Sequence, residues 1–474
     1  MFDPIPSADT VLLLTMCLAT AGVAYYLERL SILGRLPLML ARKFLHIFAI
    51  GLCCVAAAVV QNVQFLMLLV LLAELFLLYL VVGRNYFSID GRKSWGILYF
   101  PISFLVLLAL FPHDRFLIVA PMGLMALADA AATIIGEKYA PRFFILTGDT
   151  KSITGAMAFI VVGFLWFFFL GFFGYGTGQS WTEYLVMALS VTLVTAGTEL
   201  IGSNGRDNLW VPISSAFLLW AVFHAPVPVN VFYLLLFILV FTGGALLAVR
   251  LHLLSWSGAL AAVLVGIGIV SIGHFSVWPM LLFFVSGSLL GKLPGRKATD
   301  EKAGQARDSK QVFANSITAW ILAHIHCIWP DEKWIWLYLV SVACCNADTW
   351  SSELGVRLGH KPIDLLRWKK LPPGISGAVS LPGMLAALAG ASVIAIFSGS
   401  WEPAWKIALL GFAGSLMDSL LGSALQARYV YPNGALSDTP ATDALLLSGN
   451  VRVSNDAVNV LSTLLVTLSA AFIL

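Results

Sequence analysis

Apolar runs close to the ~20 residues that a helix needs to cross a bilayer recur from one end of the chain to the other. Short polar loops between them carry nearly all of the charge. The runs number about sixteen and predict an all-α polytopic integral membrane protein. The first run, over about residues 10–27, follows Asp3 and Asp9 with no basic segment and no small-residue cleavage pattern, so it is expected to be a retained span rather than a signal peptide.

The positions of lysine and arginine orient this pattern. With the N-terminus outside and the spans alternating, only Arg115, Lys333 and Lys406 of the 28 basic residues fall outside, as the positive-inside rule requires. The same alternation gathers the polar clusters at one face: Arg42, Lys43 and His46; Asp129 to Lys151; Glu199 to Asn208; Arg307 to Asn315; Asp348 to Glu353; Lys369 to Gly377; Asp418; and Asn455 with Asp456. Outer loops such as "QNVQ" (61–64) and "HAPVPVN" (224–230) are short and mostly uncharged. An intramembrane carboxylate is costly wherever lipid surrounds it, so clustering at one side predicts a site at the cytoplasmic surface. A bacterial inner membrane is the expected location.

The pattern also repeats. "ALADAAATIIG" (126–136) places Asp129 seven residues before Gly136, and "NADTWSSELG" (346–355) places Asp348 seven before Gly355. Each is followed by a basic loop and a glycine-containing entry to another apolar run, at 148–163 and 371–383. Next come Glu199 and Asp418 in small-residue helices, then "RDNLWVP" (206–212) and "SNDAVNVLS" (454–462). The order predicts two tandem modules, 1–227 and 228–474.

Composition agrees with the pattern: 474 residues that are 59% hydrophobic and 11% charged exclude an ordinary soluble protein. The net charge of +3, dispersed over loops, excludes nucleic acid as a partner. Six cysteines, including the adjacent pairs Cys53–Cys54 and Cys344–Cys345, lack metal-ligand spacing and read as helix-packing residues. The oligomeric state is left open.

The polar residues supply the parts of a phosphoryl-transfer site, which needs a divalent cation on hard oxygens, cations near phosphates, and N–H donors at a helix start. In the first module Asp129, Glu199, Asp207 and Asn208 can act as oxygen ligands, and Arg42, Lys43 and Lys151 can neutralise phosphate. Ser152, Thr154 and Gly155 open the next helix, where N–H donors would face an anion. Snorkelling is an alternative role for Arg42, Lys43 and Lys151, and packing or capping one for His46. No GxxxxGK[ST] or HRD pattern is present, which excludes the common soluble nucleotide folds.

At these residues a resemblance enters. "ARKFLHI", "ADAAATIIG", "KSITGA" and "ELIGSNGRDNLWVP" resemble the phytol kinase and dolichol kinase family over about residues 20–225. Ala128 and Thr154-Gly155-Ala156 depart from its usual glycine and Glu-Gly-Ser. The second half, with "LSWSGALAAVLVG" (254–266), "ARDSKQVFANS" (306–316), "NADTWSSELG", "PGISGAVSLPG", "GSLMDSLLGSALQ" (414–426) and "SNDAVNVLS", resembles the phytyl-phosphate kinase family over about 230–474. The resemblance implies a fused bifunctional kinase that converts an isoprenoid alcohol to its monophosphate and then its diphosphate, with CTP as co-substrate and Mg2+ as cofactor.

It further implies catalytic roles for Asp129, Lys151, Asp348 and Glu353. Metal ligands would be Asp129, Glu199, Asp207 and Asn208 in the first module and Asp348, Asp418, Asn455 and Asp456 in the second. Nucleotide or phosphate contacts would come from Arg42, Lys43, Gly136, Ser152, Gly155 and Asn204, and from Arg307, Lys310, Asn315, Lys370, Gly374 and Gly377. The second module has the denser basic loops: Lys292, Arg296, Lys297, Lys302, Arg307 and Lys310, then Arg367, Lys369 and Lys370. This suits two anions brought together. Trp350 and Trp368 read as interfacial anchors. Two other readings stay open: a lipid-phosphate cytidylyltransferase, which would release pyrophosphate, and a secondary transporter built from repeats.

Overall fold

The computed structural model describes residues 7–83, 88–89, 92–93, 95–174, 179–225, 229–270, 277–294, 306–358, 362–432, 434–438 and 443–474. The chain is an all-α polytopic membrane protein, and its short strands form only small hairpins and one three-stranded patch. It divides into two compact units, Met1–His224 with Pro228–Ile238, and Ala225–Val227 with Leu239–Leu474.

Among the described residues, nine helices are long and apolar enough to cross a membrane, against an expectation of about sixteen. Five of the remaining runs form apolar helices of 10–17 residues: Gly96–Leu110, Asp207–Phe223, Trp256–Val270, Val277–Gly291 and Ile317–His326. Two more, Glu332–Leu358 and Asn455–Ala470, carry the acidic and amide groups of the polar clusters. Placing polar groups on a helix shortens its apolar stretch, and counting runs overlooks that. Outward side chains such as Leu14, Phe76, Phe172 and Leu239 are exposed, as expected of helices that face lipid.

In the first unit, the helix Phe116–Tyr139 is α-helical to Leu124, winds as a π-helix over Met125–Asp129, and returns to α over Ala130–Tyr139. A π-turn shifts the register of the side chains that follow it and often marks functional positions. A two-stranded hairpin, Phe144–Ile145 with Thr150–Lys151, then leads into the helix Ile153–Phe172. Ser152 caps that helix by accepting a hydrogen bond from the Gly155 N–H at 3.0 Å.

Glycines bring the two helices together. A Cβ on Gly155 would lie 2.8 Å from the Ala132 carbonyl oxygen, and one on Gly136 would lie 2.9 Å from Ser152 Oγ.

The second unit repeats this frame. Its helix Glu332–Leu358 carries Asp348 and Gly355, and a hairpin of Ile363–Asp364 with Ala378–Val379 follows. Ser380 caps Leu381–Ala395 by accepting from the Gly383 N–H at 3.3 Å. A Cβ on Gly383 would meet the Ser351 carbonyl oxygen at 3.4 Å, and one on Gly355 would meet Gly383 Cα at 3.2 Å. Ala132 and Ser351 each lie three residues after their aspartate. The structural counterparts of Ser152 and Gly155 are therefore Ser380 and Gly383, and Val379 stands where the first unit has Lys151.

Candidate functional site

In the first unit the loop geometry delivers Lys151 to two acids. Thr147 Oγ1 donates to the Ile201 carbonyl oxygen at 2.7 Å, and the Asn204 N–H donates to Asp149 Oδ2 at 2.7 Å. These bonds tie the hairpin to the turn after the helix Trp181–Ile201. Asn204 occupies that turn with a left-handed φ of 54°. Gly202 lets Asp207 tuck in, since a Cβ there would sit 2.6 Å from Asp207 Cβ. Lys151 Nζ then donates to Glu199 Oε1 at 2.5 Å and lies 3.5 Å from Asp207 Oδ2.

Asp129, at the end of the π-turn, is 4% exposed. Its Oδ2 accepts from Lys43 Nζ at 2.7 Å and lies 3.5 Å from His46 Nε2. One ligand oxygen from each of Asp129, Glu199 and Asp207 falls within 4.8 Å of the others. Three acids face two lysines, so with all of them charged the cluster carries an excess of negative charge in a site of low polarity. Burial acts to lower the Lys151 pKa, but the carboxylates of Glu199, Asp207 and Asp129 outweigh it and hold the ammonium above its usual value. Hard oxygens at this spacing fit a small divalent cation such as Mg2+.

Other expected residues of this unit are placed differently. Asn208 donates its carboxamide to the Gly96 carbonyl oxygen at 2.8 Å, so that group holds the start of the helix Gly96–Leu110. Arg42 is exposed, one position from Lys43. Gly136, Ser152 and Gly155 are buried at the helix crossing, where the two glycines serve close packing.

The second unit gathers amides where the first gathers acids. Ser462 Oγ donates to Asp418 Oδ2 at 3.1 Å. The Asn459 carboxamide lies 3.1 Å from that of Asn315 and, with its NH2 turned toward Asp418, donates to Oδ2 at 3.0 Å. Asn455 lies one turn before Asn459, and in that orientation the Asn459 NH2 also donates to the Asn455 carbonyl oxygen at 3.1 Å. Cys345 Sγ approaches Thr463 Oγ1 at 3.6 Å, which joins the turn before Asp348 to this helix.

Asp348, Asp418 and Asp456 do not form a trio like the first, because among the described residues that spacing occurs only at Asp129, Glu199 and Asp207. The helical period explains the difference: Asn455, Asn459 and Ser462 share one face, and Asp456 is turned about 100° from Asn455. Glu353, to which the resemblance gives a catalytic role, pairs with Arg357 at 2.7 Å, and Arg357 also donates to the carbonyl oxygens of Gly291 and Leu293. Trp350 is a packing residue rather than an anchor. Its indole N–H donates to Ser286 Oγ at 3.1 Å, and Gly390 makes room for its ring. Trp368 is 79% exposed.

Lys310, Lys370 and Gly374 are exposed, whereas Gly377 is buried with φ 80°. A Cβ on Gly377 would meet Ser423 Cβ at 2.7 Å and Arg428 Nη2 at 3.0 Å. Burial pulls the Arg307 guanidinium below its usual pKa, with Glu353 opposing. Arg296, Lys297 and Lys302, like the junction at 227 and 228, lie outside the described residues.

A buried ion pair went unread in the sequence. Asp364, 1% exposed, accepts from Arg428 Nη1 at 2.8 Å, from Ser423 Oγ at 2.6 Å, and from the N–H groups of Leu366 and Arg367 at 3.0 Å. Arg428 donates onward to the Ser376 carbonyl oxygen at 2.6 Å. Burial would raise the Asp364 pKa, but the hydrogen bonds from Ser423 and Arg428 prevail and hold it at about 2. Asp364 and Arg428 are far apart in the chain and lie on two short strands of different sheets, so no periodicity links them. The grouping of Asn455, Asn459 and Ser462, by contrast, has helical spacing and was open to reading.

These features define a class: a polytopic helical membrane protein with charged and amide groups buried among its helices. The chain belongs to the integral membrane protein family DUF92, whose profile matches residues 214–467. It is 31% identical to Protein PGR of Arabidopsis thaliana over 221 residues, covering 39% of this chain and 77% of that protein. An uncharacterized membrane protein of Methanocaldococcus jannaschii is 31% identical over 159 residues, 32% of this chain and 66% of that protein. Phytol kinase of Synechocystis is 31% identical over 133 residues, 28% of this chain, and the match spans 56% of that kinase's length. No solved structure matches significantly.

Proposed function

We propose that the protein is a membrane kinase with two active units, phosphorylating an isoprenoid alcohol in the first and the resulting prenyl monophosphate in the second, with CTP as donor. The observation that carries this reading is the cluster of Asp129, Glu199 and Asp207 interlaced with Lys43 and Lys151. Relationship to a phytol kinase supports the substrate class.

In the first unit Asp129, Glu199 and Asp207 would hold Mg2+, which neutralises charge on the transferring phosphate. Lys43 and Lys151 are within reach to exchange carboxylate oxygens for phosphate oxygens. The alcohol oxygen forms a new bond to the γ-phosphorus and the bond from that phosphorus to the β–γ bridging oxygen breaks. The hydroxyl proton passes to an Asp129 carboxylate oxygen, and the nucleoside diphosphate leaves.

The second acceptor is a phosphate monoester whose second pKa is ~6, so it arrives as an anion and needs no strong base. Amides at Asn315, Asn455 and Asn459 beside Asp418 put less negative charge in its way.

Purified protein incubated with labelled CTP and a panel of prenols should give monophosphate and diphosphate. Asp129→Asn should lower the first addition at least ~100-fold, the range for a positioned base, and Asp348→Asn should lower the second. Monophosphate formed by Asp129→Asn at the wild-type rate would reject the first site, and release of pyrophosphate in place of nucleoside diphosphate would reassign the protein as a cytidylyltransferase.

A further inference from the structure

The second unit carries an exposed tip that is built against backbone preference. Trp368 has a left-handed φ of 54° and is 79% exposed. A bulky side chain pays for that conformation in steric strain, which persists only where the surroundings enforce it. Here the turn closes tightly on Asp364: the Trp368 N–H donates to the Asp364 carbonyl oxygen at 2.8 Å, and the Asp364 N–H donates to the Lys369 carbonyl oxygen at 2.7 Å. Lys369 and Lys370 follow the tryptophan and are exposed, as are Ile363 and Leu366 before it. Arg367, 3.8 Å from Asp364 Oδ2, keeps 40% of its side chain exposed.

The buried pair that holds this turn also joins it to a second exposed apolar element. Arg428, bound to Asp364, begins the strand Arg428–Val430, which pairs with the edge strand Leu445–Ser448. Successive residues of a strand face opposite sides, so one face is ordinarily covered and the other polar. Leu445, Leu446 and Leu447 are nevertheless all exposed, and the exposed Val451 and Arg452 follow. Three consecutive exposed apolar residues are a fault on a surface that meets only water. These leucines and Trp368 lie outside the helices, so they are no part of the lipid-facing sides of the spans.

We infer that the turn 363–370 and the strand Leu445–Ser448 form a seat for an anionic lipid surface, with Trp368 and the leucines at the headgroup–acyl boundary and Lys369, Lys370 and Arg452 on lipid phosphates. The two segments connect helix ends, and the Asp364–Arg428 contact puts them at one end of the unit. Lipid can cover a strand on both faces, whereas a protein partner would cover one. The cations outnumber the exposed Asp443 beside the strand, which suits a leaflet whose negative surface draws lysine and arginine to it. Tryptophan belongs at the same headgroup level. This partner is independent of the kinase reading.

Wild-type protein in nanodiscs that hold a trace of phosphatidylglycerol with a diazirine near its glycerol backbone tests the seat. Peptides 363–370 and 443–452 should be labelled, and unlabelled phosphatidylglycerol should displace the label at least ~10-fold better than phosphatidylcholine. Each lysine or arginine near an anionic surface accounts for about fivefold in affinity, so the combined variant Lys369→Gln, Lys370→Gln, Arg452→Gln should lose most of that preference. Absence of label on these peptides, or equal displacement by the two lipids, would overturn the inference. Displacement by CTP would make the turn a nucleotide platform, and loss of label on dimerisation would make it an interface between copies; either result rejects the lipid seat.

Trp368→Gly separates this role from packing. Glycine takes the left-handed conformation without strain, so the variant should keep or raise the unfolding temperature of the wild type. Labelling of 363–370 should fall at least ~5-fold, because the apolar area of the indole no longer enters the boundary. A lowered unfolding temperature with labelling intact would show that the indole packs within the protein, and would overturn its part in the seat.

Discussion

Lys151 is the residue on which the first cluster balances. Its ammonium is 14% exposed and touches Glu199 and Asp207, so removing the charge leaves two acids facing Asp129 with Lys43 alone. Lys151→Met is expected to cost about 3–5 kcal/mol, the range for breaking a buried pair by deleting one partner. Adding Glu199→Gln should restore much of that stability and none of the first-step activity. Thermal unfolding in detergent and monophosphate yield measure the two effects, and equal losses in the single and double variants would refute the coupling. Because the folded pKa of Lys151 is raised, its stabilising contribution is complete below the ordinary lysine pKa of ~10.4 and is lost only as pH rises through the folded value. Near neutral pH the pair therefore acts as a fixed element.

Between elements, the decisive contacts are helix crossings closed by glycine and loops closed by charge. Gly155→Ala would drive a Cβ against the backbone oxygen of Ala132, which cannot swing away as a side chain could. A loss of about 1–3 kcal/mol is expected from overpacking, with lowered first-step rate because Ser152 and Lys151 move with the helix start. Gly383→Ala has 3.4 Å to the corresponding oxygen of Ser351 and should be milder. Parallel unfolding curves of the two variants test that order.

The Asp364–Arg428 pair fixes the Ala378–Val379 hairpin and the Gly377 turn onto the end of the helix Trp401–Leu425. Since the Asp364 pKa is lowered to about 2, its contribution is present above the unfolded value of ~3.9 and is lost as pH falls from there through about 2. Protease cleavage within 362–377 should thus rise steeply below pH 4 in the wild-type protein. In Asp364→Asn it should be high already at pH 7, and an unchanged cleavage rate in that variant would show that the pair does not secure the loop.

At the scale of the whole molecule, the one-sided distribution of lysine and arginine predicts the orientation: N-terminus outside, polar clusters inside. In intact cells an impermeant maleimide should label a His113→Cys protein and leave Lys370→Cys unlabelled until the membrane is opened. The reverse pattern would invert the topology and move the proposed sites to the outer face. A kinase fed by cytoplasmic nucleotide requires the first result.

Much of this molecule is written locally. Apolar run lengths gave the all-α membrane class, because a bilayer imposes one length on every spanning helix. Spacing alone identified Asp129 with Gly136 and Asp348 with Gly355, which the structure sets in matching frames. The approach of Asp129, Glu199 and Asp207 was expected from the residue types and found within 4.8 Å.

Tertiary structure decided how charge is partitioned. It directed Asn208 to Gly96, gave Glu353 to Arg357, faced Asn459 and Ser462 toward Asp418, and joined Asp364 to Arg428. Run length and period are properties of a helix by itself, and sequence determines them. Which cation meets which anion depends on helix rotation and on loops closing across distant segments, and only the folded chain sets those.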